Sequence, residues 1–303
     1  MSIPRFSSRP SMFFVGLALS ALFAMASVAQ AQKQASCTFT FFTLGVNIPN
    51  LGPGFMEPSG INDFGTIVGL AMTNNESTEV GFIRWANGGL SFPLGTSATA
   101  TSVLFDRNDS GTTIAFQNGT PVLLNGTTIT GFNLGVNNNV YNLFSINNWG
   151  SIVGNYFTDF PNDRTGFKRW SNGGFFPLFF PGNLPTTATG INDQGTVVGY
   201  YSSSANAVSG FIYHGGDWAA LNFPNATSTY LAGISNAGVI IGNADVKGFG
   251  TPFLYKNGVF KLISVPNALA NTPPFLLSIS PKLGLIVGMV GTPNQGGFIA
   301  KCN

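Results

Sequence analysis

A ten-residue phrase returns six times along this chain, and no other feature restricts its fold so severely. Gly60 to Gly69 reads GINDFGTIVG, and Gly190 to Gly199 repeats it as GINDQGTVVG. Ser145 to Gly154 (SINNWGSIVG), Gly233 to Gly242 (GISNAGVIIG), a worn copy from Asp106 to Ala115 (DRNDSGTTIA) and the one-residue-longer Ser278 to Gly288 (SISPKLGLIVG) complete the set. The copies close at positions 69, 115, 154, 199, 242 and 288, a period of about 44 residues. Self-similarity at that period marks a repeat architecture, in which one supersecondary unit buries its apolar faces only by stacking on its neighbours.

A second phrase follows in five of the six units: Gly81-Phe82-Ile83-Arg84-Trp85, Gly166-Phe167-Lys168-Arg169-Trp170, Gly210-Phe211-Ile212-Tyr213, Pro252-Phe253-Leu254-Tyr255 and Gly297-Phe298-Ile299-Ala300. Each unit then parses into four short strands. The first ends at the Ile of the first phrase, and an Asn-Asp-x-Gly turn reverses the chain, its Asn and Asp bonding local backbone and its Gly taking the left-handed position. The turn residues are Asn62, Asp63 and Gly65; Asn108, Asp109 and Gly111; Asn147, Asn148 and Gly150; Asn192, Asp193 and Gly195; and Ser235, Asn236 and Gly238. A β-branched second strand, the Gly-Phe strand and a strand running toward Pro follow. With 39 Gly and 18 Pro spread along 303 residues, long helices are excluded, while 44% apolar content supplies a core. Four strands per unit and six units predict an all-β, six-bladed β-propeller of four-stranded antiparallel blades. The small residue closing each first phrase points to close packing between neighbouring blades.

A sandwich or a β-solenoid is the rival built from the same hairpins, and the chain ends favour the propeller. The sixth unit stops at Asn303, just after its third strand, and Cys37 to Asn50 (CTFTFFTLGVNIPN) has the pattern of the missing fourth strand. The N-terminal strand is therefore expected to complete the last blade and remove two open sheet edges. Cys37 and Cys302, the only cysteines, stand at the two ends and are expected to form a disulfide where other blades place the turn between strands three and four.

At these phrases the chain resembles the bacterial extracellular HAF-repeat proteins, in which a His-Ala-Phe phrase follows G-I-N-x-x-G-x-I-V-G. The likeness covers nearly all of residues 37 to 303. Here Val80-Gly81-Phe82, Thr165-Gly166-Phe167, Ser209-Gly210-Phe211 and Thr251-Pro252-Phe253 stand in place of His-Ala-Phe, so the His is absent throughout. The resemblance implies an exported repeat protein with a propeller fold, and it carries no reaction that could be transferred.

Residues 1–31 hold Arg5 and Arg9, an apolar run from Met12 to Val28 and Ala29-Gln30-Ala31, the layout of a signal peptide cleaved near Ala31. Residues 32–303 are then expected to form a single propeller domain, secreted to the periplasm or beyond. Without the leader the 13 basic residues become 11, equal to the 11 acids. A neutral surface has no field to steer nucleic acid or anionic membrane, and a monomer with an extracellular glycan or protein partner is the expectation.

Catalytic constellations are scarce. His214 is the sole histidine and sits where a strand enters a turn, and no G-x-S-x-G elbow is present, so a Ser-His-Asp triad or a His-based metal site is disfavoured, and no cofactor is expected. The Asn-Asp pairs offer oxygen ligands for calcium, but the turn reading explains them without an ion. The long connections joining strands two to three, and each blade to the next, should share one face. They bring Glu57, Glu76, Glu79, Tyr156, Asp159, Asp163, Arg164, Tyr200, Tyr201, Tyr230 and Asp245 to a candidate ligand face, compatible with sugar or peptide contact. Trp85 and Trp170, at matching positions, point to packing between blades, whereas Trp149 and Trp218 fall in turns and should face solvent. Three functions remain: a non-enzymatic binding or surface-interaction module, an extracellular hydrolase or lyase using acids of the loop face, and a self-associating structural protein.

Overall fold

The computed structural model describes residues 33–303 apart from 100, 134–140, 158–163, 205–206, 267, 269–272 and 291–295. The expected leader, Asp159 and Asp163 lie outside the described residues. Six antiparallel sheets form a six-bladed propeller. The second blade consists of Ser102–Arg107, Thr112–Gln117, Thr120–Asn125 and Thr128–Gly131, paired in chain order. The third (Tyr141–Ile146, Ile152–Phe157, Arg164–Arg169, Phe175–Leu178) and the fourth (Thr186–Ile191, Val197–Ser204, Ala207–His214, Asp217–Leu221) follow the same order. No helix among the described residues is long and apolar enough to cross a membrane.

Closure follows the pattern expected of the chain ends. Cys37–Phe42 lies antiparallel beside Gly297–Cys302 and completes a sixth blade with Phe275–Ile279 and Leu285–Met289. In that register Cys37 faces Cys302, and the two form a disulfide with an S–S distance of 2.05 Å. The rest of the expected closing strand does something else. Gly45–Ile48 turns back on Gly52–Ile61 and adds a fifth strand to the first blade, whose others are Ile67–Thr73, Glu79–Arg84 and Leu90–Ser91. Lys33–Gln34 runs parallel to Val259–Leu262 at the edge of the fifth blade, beside Phe249–Lys256, Ile240–Val246 and Ser228–Ile234. The N-terminal segment therefore touches three consecutive blades.

In five of the six blades one packing motif recurs. The Phe of the Gly-Phe strand (Phe82, Phe167, Phe211, Phe253, Phe298) is wholly buried. Its ring lies against the glycine that closes the first phrase on the adjacent strand. A Cβ on Gly69 would fall on the Glu57 carbonyl and 2.8 Å from the Phe82 ring, and Gly154, Gly199, Gly242 and Gly288 meet the corresponding carbonyl and ring. The second blade confirms the dependence from the other side, since it has Ala115 and, opposite it in the ladder, Val122 instead of Phe. These glycines thus serve packing inside a blade, which corrects the expectation that they allow close packing between neighbouring blades. Contact between blades falls to the preceding Gly of the Gly-Phe phrase: Gly81 abuts Leu104, Gly166 abuts Thr186 and Gly210 abuts Leu231.

Each first strand also carries a register shift, between Pro58 and Gly60 in the first blade and at the matching place in the other five. A bulge sharpens the local twist, and its repetition curves six strands around the axis.

Two outcomes test this packing. Gly199→Ala should cost about 1–3 kcal/mol by overpacking, while Gly45→Ala, whose Cβ meets nothing within 4 Å, should change urea stability by less than about 0.5 kcal/mol. Replacing both cysteines by Ala should remove about 2–5 kcal/mol, because the bond links residues 265 apart; equal unfolding midpoints with and without the bond would contradict its role in closure.

Candidate functional site

The Asn turns form a ring at one end of the axis. In each turn the Asn Oδ1 accepts from the turn's own backbone, as Asn62 does from Phe64 N (3.1 Å) and Thr66 N (3.0 Å). The amide left over crosses to the next blade: Asn62 Nδ2 donates to Asn108 O, Asn108 to Asn147 O at 3.1 Å, Asn147 to Asn192 O at 3.0 Å and Asn192 to Ser235 O at 3.2 Å. The next position repeats the crossing with backbone donors. Asp63 N donates to Asp109 Oδ1, Asp109 N to Asn148 Oδ1, Asn148 N to Asp193 Oδ1 and Asp193 N to Asn236 Oδ1, all within 3.0 Å. Asn236 N reaches Pro281 O, and Lys282 N and Leu283 N donate back to the Asp63 carboxylate. The extra residue of the sixth repeat thus supplies the amides that close the ring. Burial pushes the Asp109 carboxyl up, yet the hydrogen bonds from Asp63 and Asn148 and the Lys282 charge outweigh it and hold Asp109 below the usual carboxylate range. Lys282 Nζ lies 3.5 Å from its Oδ2.

Because backbone and Asx side chains hold the ring, the third residue of each turn is free to project into solvent. Phe64 is 67% exposed and Trp149 70%. Beside Phe64, at the boundary of the first and second blades, an open cleft of about 490 Å³ is lined by Phe64, Trp85, Asn87, Arg107, Asp109 and Ser110, among others. That volume is in the range of small-ligand sites. Trp85 is 40% exposed and carries the Arg107 guanidinium over its ring at 5.6 Å. Arg107 Nη1 donates to Thr113 Oγ1 at 2.7 Å, which holds the guanidinium in place over the indole. The cleft therefore offers an aromatic face, a bank of N–H donors and a carboxylate edge.

The axis itself is narrow. At the level of the bulges it holds about 30 Å³, room for a water or two, between residues such as Ser59, Phe144, Ile191 and Ile279. Asp106 stands there in place of the Gly or Ser of other repeats. It is buried, accepts from Ser145 Oγ (2.9 Å), Ile146 N (3.0 Å) and Arg107 N (2.9 Å), and burial nonetheless pushes it to about 6.

The loop face expected from sequence lies at the opposite end of the blades, and its described residues fall into separate groups. Tyr156 and Tyr201 are buried, Tyr156 against Phe175 and Tyr201 stacked on Phe180 at 3.8 Å, so both belong to the core. Tyr200 and Tyr230 meet edge to face at 5.2 Å. Asp245 accepts from Gly248 N, and Arg164 lies over Phe157. Glu57, Glu76 and Glu79 do gather on the first blade, where burial, then Glu79, then Glu76 raise the Glu57 carboxyl. The tryptophans are redistributed too. Trp218 packs on Phe211 and Tyr213, whereas Trp85 and Trp170 are each 40% exposed. His214 is exposed, with Nδ1 3.0 Å from Thr196 Oγ1. Among the described residues no three His, Cys, Asp or Glu side chains are placed to share a metal.

No protein-family profile and no curated protein sequence matches this chain. Among solved structures it is similar to TolB from Acinetobacter baumannii, at 13% identity and a TM-score of 0.50, over 79% of this chain and 65% of that one. It is also similar to a protein named as a gluconolactonase (11%, 0.49, covering 89% and 92%) and to Aleuria aurantia lectin (10%, 0.44, covering 84% and 92%). At these identities the likeness concerns the β-propeller fold alone.

Asp106 makes stability pH-dependent. Its folded value of about 6 exceeds the unfolded 3.8, so its contribution is complete below about pH 4 and is lost as pH rises through 6, a cost of roughly 3 kcal/mol at neutral pH. Asp106→Ser, which installs the residue of the third and sixth blades, should flatten the fall in melting temperature between pH 4 and 7. An unchanged slope would assign the fall to other groups.

Proposed function

We propose that this chain is an exported propeller of the HAF-repeat type, cleaved near Ala31, whose residues 32–303 act as a non-enzymatic binding module for carbohydrate. The observation that carries the reading is the cleft between the first two blades. A pyranose presents an apolar C–H face and a rim of hydroxyls, and this cleft pairs an exposed indole and phenyl ring with the Arg107 donors and the Asp109 acceptor. Trp85 and Phe64 sit on a scaffold that does not need them for its core. A disulfide between the chain ends suits an oxidising, extracytoplasmic location.

One observation favours a second reading. The Glu57 carboxyl, raised by burial and by Glu79 and Glu76, has the character of a general acid, which keeps an extracellular hydrolase or lyase using the loop face as the alternative.

A glycan array and a panel of generic glycosidase and lyase substrates separate the two. Binding without turnover, weakened at least about tenfold by Trp85→Ala and untouched by Glu57→Gln, is the expected result. Turnover abolished by Glu57→Gln would replace this reading with the enzymatic one.

A further inference from the structure

Six versions of one blade in a single chain provide an internal comparison. Two positions at the turn end vary among them: the third residue of the Asn turn and the fourth residue after the Gly or Pro that opens the Gly-Phe run, where the fourth, fifth and sixth blades have His214, Lys256 and Lys301. In the first blade these are Phe64 and Trp85, and in the third blade Trp149 and Trp170. The other four blades have no Phe, Tyr or Trp at either position. Core packing does not account for the coincidence, because all four side chains are 40 to 70% exposed.

The surroundings match as well. Gly65 lies with its missing Cβ 3.6 Å from Ala86 Cβ, and Gly150 with its own 3.2 Å from Ser171 Cβ, so in both blades the aromatic turn rests on the residue following the tryptophan. Both tryptophans open the same tight turn, closed by Trp85 N to Gly89 O and Trp170 N to Gly174 O at 2.8 Å, with Asn87 and Asn172 capping it from inside.

The cation is the telling difference. Over Trp85 it is Arg107, which comes from the first strand of the next blade. Over Trp170 it is Lys168, from the same strand as the tryptophan, with Nζ again 5.6 Å from the ring. Lys168 also reaches across the boundary to Gly195 O at 3.2 Å. Copying of a repeat would preserve the residue and its position; here the position changes and the charge at the ring is restored. Each boundary also receives a ring carboxylate of the following blade, Asp109 accepting from Asp63 N and Asp193 from Asn148 N.

We infer that the turn face carries two equivalent carbohydrate sites, at the first–second and third–fourth blade boundaries, which engage pyranose units of one polysaccharide bivalently. This rests on the reading of the first cleft as a sugar site. Two linked contacts raise apparent affinity by about 10²–10⁴ over one, so a polymer is held far more tightly than its fragments.

The test uses the full mature protein in native gels containing soluble β-1,3-glucan, galactomannan or dextran, with oligosaccharides from the retaining polymer titrated calorimetrically. The expected result is two oligosaccharide sites per chain, one after Trp85→Ala or Trp170→Ala, and none in the double variant. Either single variant should lose at least tenfold in apparent affinity for polymer, and Trp149→Ala, at a more exposed position, should weaken the same site as Trp170→Ala. One site in the wild type, lost on Trp85→Ala and unaffected by Trp170→Ala and Trp149→Ala, would overturn the second site while leaving the first. Retention by no polymer, or retention indifferent to Trp85→Ala, would overturn both.

Discussion

The spare amide of a turn asparagine is the contact on which this structure depends. An Asx turn needs only the side-chain oxygen, and the Nδ2 group left over must find an acceptor as it is buried. In four successive blades that acceptor is a backbone carbonyl of the next blade, so the residue that reverses the chain also sets the distance and angle to its neighbour. Local folding and global assembly are thereby coupled through one side chain. Where the fifth and sixth repeats substitute Ser235 and Ser280, the main chain around Pro281 and Lys282 makes the crossing instead.

Inside the blades the governing constraint is volume. A buried phenylalanine ring lies over the second strand, and a side chain beneath it would strike both the ring and a carbonyl of the first strand. Glycine is the solution in five blades, and Ala115 with Val122 is the solution in the sixth case, a smaller ring-free side chain above a slightly larger one below. The blades are then nearly interchangeable units, and the remaining problem is topological. The chain must close its ring with two free ends, which it does by lending Cys37–Phe42 to the last blade and joining the ends through sulfur. Gly45–Ile48 and Lys33–Gln34 extend that fastening to the blades on either side.

The same division of labour frees a surface for function. Since backbone and Asx groups make the crossings of the ring, the side chain at the tip of a turn is not needed for them, and it varies from Ser110 to Trp149. Large aromatic groups at two tips, each beside an exposed tryptophan held under a cation, are difficult to reconcile with solubility unless they meet a partner. On the loop face, by contrast, the aromatic residues with the strongest sequence claim turn inward: Tyr156 and Tyr201 fill gaps beside Phe175 and Phe180.

The sequence by itself determined the repeat, the four strands common to the blades, the turns, the strand that completes the last blade and the cysteine pair, because each is a local pattern or a property of the chain ends; the added edge strands of the first and fifth blades it did not show. A period of about 44, β-branched runs and Asn-x-Gly turns act over a few residues and are visible without coordinates. The six bulges, the within-blade duty of Gly69 and its counterparts, and the burial of Tyr156 were decided only when strands paired, since no residue type signals which partner lies opposite. Asp106 reads only as the first residue of a worn copy until the axis closes around it and strips its water. The cleft was hidden for the same reason. Arg107 follows Trp85 by about half a period, in the next blade, and only the side-by-side stacking of two blades brings the guanidinium over the indole; what separates them along the chain is irrelevant once neighbouring turns are hydrogen-bonded into a ring.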